Sequence, residues 1–344
     1  MRTLSDLDSF SKKYLIDWEQ KSTVRTGKRS RLDKSMISKV EFPYLIKHFL
    51  KYPEVRALSQ EDLQPFYLQS LCNVLYAVTQ FEVNFVTDQC GKLANKDLGI
   101  ELSSSIKQVA IAIGTDEMYH AFAASELLSD IEELTGVTPV VPQKTKPEPP
   151  KDILVGANEQ TKVRLTPVEY FKNSVPEKLQ RIAETTLLCI LENAVVDDLL
   201  EMAKDFQAVN PVAVYNREHI HDEGRHKVFF QRLLKYIWSA ISEEDRLCLG
   251  QAIAGYYENY SQQPTYDELV EVTSKNLQKL PLSEDVVRLI APQVAKSLAK
   301  QPLHEKDFIQ NPMRLMAFAG VSDHPPTREL FLKIGLLAPS LETA

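Results

Sequence analysis

The 344 residues carry 47 acids against 40 bases, and a net charge of −7 excludes the broad basic face that nucleic acid requires. An apolar content of 44 % is enough for a sizeable core, yet nowhere do eighteen apolar residues run together, so no membrane span is expected. Eleven glycines, with no Asn-Gly or Asp-Gly turn between alternating strands, leave an all-α chain as the expectation.

Residues 4–20 read as an amphipathic helix. Acids and bases are mixed throughout this end and no apolar run is present, so no secretory signal is expected. A polar loop with the short basic run Lys28-Arg29-Ser30-Arg31 follows, a solvated surface by its size. Ser59-Gln-Glu-Asp62 starts a helix with a capping-box pattern, and the helical period then continues unbroken to about Leu93. A second long helix spans about Leu102 to Thr135, with Gly136 as its stop. Residues 137–166 are rich in proline and lysine and read as a crossover connection. The third long helix starts near Ser174-Val-Pro176-Glu177 and reaches about Phe206. Asn210-Pro211 opens the fourth, which ends near Ile241. Shorter helices from 242 to 344 pack around this four-helix centre (about 60–240), giving one helical domain over 1–344. Cys72, Cys90, Cys189 and Cys248 form no Cys-x-x-Cys pair, as expected of reduced thiols in a cytoplasmic protein.

The stretch Tyr215–Phe230 contains His219, Glu223 and His226 at i, i+4 and i+7. At about 100° per residue these share one helix face, and two imidazoles with a carboxylate are the donors of a transition-metal site. His221 points about 160° away from Glu223 and is not a ligand by this reading. The second helix repeats the string: Asp116-Glu117-Met118-Tyr119-His120 matches Asp222-Glu223-Gly224-Arg225-His226. One Glu-x-x-His is weak evidence; two copies in mid-helix are strong. In ferritin-like di-iron bundles the two other helices each give a lone glutamate. Glu82 in VLYAVTQFEVNFV and Glu192 in TLLCILENAVV fill that role. Neither has a Lys or Arg at i±3 or i±4, and a lone buried carboxylate costs several kcal/mol without a partner or a metal. The candidate ligands are therefore Glu82, Glu117, His120, Glu192, His219, Glu223 and His226. Asp116 and Asp222 are candidates to accept the free N–H of a ligating imidazole. His48, His304 and His324 lack partner spacing and read as structural.

The arrangement resembles the p-aminobenzoate N-oxygenase family of di-iron arylamine oxygenases. A lone Glu stands 35 residues before Glu-x-x-His, and a second stands 27 before His-x₃-Glu-x₂-His. The match covers about residues 60–240. The resemblance implies a helical bundle, often dimeric, that holds two non-haem irons with three His and four Glu. It further implies an external reductant or electron-donor protein, and O₂ as the co-substrate that takes an aromatic amine towards hydroxylamine, nitroso and nitro products.

Thr79, Phe85, Gly114, Ala121, Tyr215 and Asn216 lie within a turn or so of the ligands and are the candidate pocket, alongside Ala124. A free aminobenzoate calls for a cation aimed at its carboxylate, and the two turns before Glu82, LCNVLYAVTQ, contain none. Arg217, Arg225 and Arg314 are the other candidates. A di-iron C–H hydroxylase, a ferroxidase or iron-binding protein, and a purely structural bundle are the competing readings.

Overall fold

A computed structural model of the chain describes residues 4–26, 31–40, 46, 49–95, 97–140, 166–194, 211–260, 265–300, 304 and 307–338. The described residues are all-α, with no strand among them, and no helix there is long and apolar enough to cross a membrane. His48, Asn210, the third helix beyond Ala194 and most of the crossover connection lie outside the described residues.

Local sequence sets most helix ends. Helix α1 (Leu4–Lys21) leads through the single-turn helices α2 (Thr23–Thr26), α3 (Lys34–Ile37) and α4 (Pro53–Arg56) to α5 (Gln60–Phe81). Ser59 and Asp62 cap α5 reciprocally, a contact of about 1 kcal/mol. The helical run from Ser59 is not uniform. Glu82–Val86 form a π turn before α6 (Thr87–Asn95) takes over. Such a turn absorbs one extra residue in the ladder, which re-aims the side chains around it. Here Glu82 is buried, whereas Val83 and Asn84 face outwards.

Helix α7 (Ser104–Thr135) begins at the N-cap Ser103 and stops at Gly136, whose φ of 73° is the left-handed cap conformation. A short helix, α8 (Pro167–Asn173), precedes the position where the sequence reading starts the third long helix. Thr166 and Glu169 form its capping box, with Pro167 in the first turn. After Pro176 a 3₁₀ turn, Glu177–Leu179, leads into α9 (Gln180–Ala194). The fourth long helix is α10 (Pro211–Ala240), followed by α11 (Glu243–Tyr260), α12 (Tyr266–Leu277), α13 (Glu284–Lys300), α14 (Asp307–Ala319) and α15 (Pro325–Lys333).

Two apolar cores flank a polar layer. One joins Ile106, Val109 and Ile113 of α7 to Phe229, Leu233 and Ile237 of α10, with α6 and α9. The other joins Leu127 and Ile131 of α7 to Val212 and Ala213 of α10, with α5, α12 and α13. The first half of α7 thus meets the second half of α10, so the two helices run antiparallel. Between the cores α7 and α10 bury Asp116, Glu117, His120, His219, Asp222, Glu223 and His226, each no more than 2 % exposed. Buried charges at that density require partners.

Candidate metal centre

The seven candidate ligands come from four directions: Glu82 from the π turn, Glu117 and His120 from α7, Glu192 from α9, and the rest from α10. Two groups of ligand atoms each lie within 4.8 Å of one another: Glu117, His120, His219 and Glu223, and Glu117, Glu192, Glu223 and His226. Glu117 and Glu223 belong to both. Glu82 joins the first group through His219, whose Nε2 is 3.5 Å from Glu82 Oε1 and 3.4 Å from Glu223 Oε1. The His219 ring lies 4.2 Å from that of His120.

The imidazoles of the repeated string are turned alike. His120 Nδ1 is 3.1 Å from Glu117 Oε2, and His226 Nδ1 is 2.7 Å from Glu117 Oε1. Their Nε2 atoms point the other way and meet the two aspartates crosswise. His226 reaches Asp116 Oδ2 and His120 reaches Asp222 Oδ2, each at 3.2 Å. The crossing follows from the antiparallel helices. Asp and His of one string are four residues, about 6 Å, apart along the axis, so the Asp of each helix stands level with the His of the other.

The electrostatics are those of too many anions. Burial pushes the Glu82 carboxyl well above the usual range, and Glu117 beside it adds to the rise. Burial does the same for Glu192, reinforced by Glu223 and Glu117. Glu117 is raised by burial and by Glu223. Burial would also raise Glu223, but His226 and His219 outweigh it and hold that carboxyl low. Burial lowers His120, and His219 beside it does likewise. His219 and His226 go up despite burial, because Tyr215 and Glu223 face the first and Tyr14 and Glu117 the second. Burial opposes charge on Asp222, yet the His120 N–H, the Thr23 hydroxyl and Arg225 keep its carboxyl well below the usual range.

The residues fit a pair of cations. Glu82 Oε2, Glu117 Oε1, Glu192 Oε2, Glu223 Oε2 and His226 Nδ1 are buried without a hydrogen-bond partner. His226 Nδ1 and Glu117 Oε1 are at contact distance, yet out of hydrogen-bond orientation. Two ligands at right angles on one cation, with bonds of about 2.1 Å, would stand about 3.0 Å apart. Two divalent cations would offset four carboxylates, and the mixed imidazole–carboxylate set suits a transition metal rather than calcium or magnesium.

The remaining candidates separate. Tyr215 is buried edge-on to His219, ring centroids 5.4 Å apart, and burial pushes its phenol up to about 12. Asn216 is buried with its Nδ2 unpartnered. Thr79 spends its hydroxyl on the Leu75 carbonyl, and Phe85 stacks on Phe81. Ala121 is buried, and Ala124 packs in the second core. Gly114 permits close packing of α7 on α6, since a Cβ there would sit 3.3 Å from that of Cys90. It also lines an apolar groove of about 610 Å³ with Cys90, Met118 and Phe122, and no lining side chain is charged. Arg225 is committed to Asp222, with Asp116 at 3.7 Å, and Arg217 and Arg314 are exposed. His221 is exposed and accepts from Arg225 at its Nδ1. His324 is buried between Thr327 and Glu243, a structural use.

Three residues near the centre have no signal in the sequence. Trp18 and Ser22 donate to Asp116, and Thr23 donates to Asp222. They lie 94 to 199 residues away along the chain, beyond any spacing rule. No protein-family model matches the chain, and no curated protein matches it.

Proposed function

We propose that the chain is a non-haem di-iron oxygenase of the ferritin-like type that N-oxygenates an aromatic amine, as the resemblance to the p-aminobenzoate N-oxygenases implies. What supports the reading above all is that two donor groups share Glu117 and Glu223, the arrangement of a dinuclear centre with bridging carboxylates. Glu82, His120 and His219 would complete one position, and Glu192 and His226 the other. Two irons, if held by these residues, would supply the activation of O₂ for oxygenation of the amine nitrogen, with electrons from an external donor.

The chain's own part is positioning and exclusion of water. Asp116 and Asp222 accept Nε2–H from His226 and His120, which leaves each Nδ1 lone pair facing the carboxylates. Apolar cores above and below keep bulk water off the layer. Tyr215 and Asn216 offer an aromatic edge and an amide to a ring near His219. With Arg225 engaged and Arg217 and Arg314 exposed, an arylamine without a carboxylate suits the site better than an aminobenzoate. A homodimer belongs to the proposal. Ile111, Met118 and Phe122, 55 %, 45 % and 55 % exposed, form an apolar stripe along α7 that a second copy would cover.

The test is aerobic incubation of iron-loaded, chemically reduced protein with p-anisidine. Hydroxylamine, nitroso or nitro product is expected. Oxidation and retention of Fe(II) with no product would identify a ferroxidase instead.

A further inference from the structure

One short stretch of chain holds both outer aspartates. Helix α1 sets Leu7, Ser11, Tyr14 and Trp18 on one stripe at spacings of three and four, and buried Ser22 and Thr23 follow at its junction with α2. Trp18 Nε1 donates to both oxygens of Asp116 at 2.9 Å, and Ser22 Oγ donates to Asp116 Oδ1 at 2.5 Å. Thr23 donates its hydroxyl to Asp222 Oδ2, and its backbone N–H donates to the same oxygen at 3.3 Å. Both carboxylates are fully buried. A carboxylate whose lone pairs are so occupied keeps one orientation. The imidazole donating to it then keeps one tautomer, with Nδ1 free to ligate.

We infer that the junction from Trp18 to Thr23 is a positioning device for the metal centre, setting metal affinity separately at its two positions. This rests on the dinuclear reading above. Trp18 and Ser22 act through Asp116 on His226, which groups with Glu192. Thr23 acts through Asp222 on His120, which groups with His219. Linkage makes the effect reciprocal: whatever the junction adds to metal affinity, metal binding adds to the stability of the docked junction.

Calorimetric titration of the full-length apo chain with Mn(II) tests this. Wild type should bind in two steps. Trp18→Phe keeps the ring's bulk and loses the N–H, and should weaken one step about tenfold, the low end for contacts that orient ligands. Thr23→Val, isosteric and lacking the hydroxyl, should weaken the other step, and Thr23→Ser should restore it. Mn(II) should also slow amide exchange across residues 4–26 in wild type, and less so in Thr23→Val. No uptake by wild type would sink the dinuclear reading and this inference with it. Two steps left unchanged by both variants would overturn the inference alone. So would equal weakening of both steps together with a lower apo melting temperature, because the junction would then be an ordinary packing contact.

Discussion

Helices α7 and α10 carry the same string, Asp-Glu-x-x-His, yet the two copies have different surroundings. In α10 the residue one turn before the glutamate is His219, and its counterpart in α7 is Ile113, buried in the first apolar core. Between glutamate and histidine α10 has Arg225, which binds Asp222, where α7 has Tyr119. Asp222 is thus neutralised by a guanidinium, while Asp116 is held mainly by the Trp18 and Ser22 donors. The shared string builds a nearly two-fold frame of crossed Asp–His pairs. In the proposed dinuclear centre the unshared His219 would give one position two imidazoles and the other one. Symmetry sets the frame, and the asymmetry would give two bound metals different ligand fields.

The largest break in that comparison comes from the residues common to both groups. Glu117→Ala and Glu223→Ala should each cut iron from about two equivalents to near zero, because every position loses a ligand. Metal analysis after iron loading is the check, and retention of one full equivalent by either variant would show that it does not bridge. Next come the lone carboxylates. Glu82→Ala and Glu192→Ala should lower iron content and abolish O₂-dependent turnover. The apo melting temperature should hold or rise, since a desolvated carboxyl is removed. Full iron and turnover in both variants would make them ordinary helix carboxylates.

His219→Ala sharpens the comparison by making α10 resemble α7. Four carboxylates and two imidazoles remain, so most iron should stay while amine oxidation falls. Turnover equal to wild type would leave His219 outside the functional set. Acidity gives a smaller, graded effect. Glu82, Glu117 and Glu192 are raised carboxyls, so the folded apo chain binds more protons than the unfolded chain above the ordinary carboxylate range. Apo stability should therefore fall as pH rises through that window. The raised imidazoles of His219 and His226 act in the same direction; His120 opposes, and the lowered Glu223 and Asp222 oppose only within and below the ordinary carboxylate range. Metal displaces those protons, so its affinity should rise with pH. Melting curves with and without Mn(II) across pH should diverge upwards; curves that stay parallel would contradict this.

What the sequence discloses is what local spacing encodes. His219, Glu223 and His226 declare themselves by helical period, and Gly136 and Ser59 mark ends that a single turn of backbone decides. Thr166-Pro167-x-Glu169 is an equally local start signal for α8, and a reading that begins the next helix at Ser174 passes over it. The π turn at Glu82 leaves no comparable mark, because VLYAVTQFEVNFV satisfies an unbroken α-helix as well. The crossed pairing of Asp116 with His226 depends on the antiparallel packing of two helices. The donors Trp18, Ser22 and Thr23 reach the site only through the docking of α1. Gly114 shows the converse limit: a small residue near a ligand reads equally as pocket or as close packing, and here it lies close against Cys90 while also lining the groove with Met118 and Phe122.

The central claim is that Glu117 and Glu223 tie two metal positions into one centre. Iron analysis of the wild-type chain loaded anaerobically with Fe(II) and desalted tests it most directly. The account predicts about two irons per chain. A reproducible value of one, or zinc in a tetrahedral site, would contradict it.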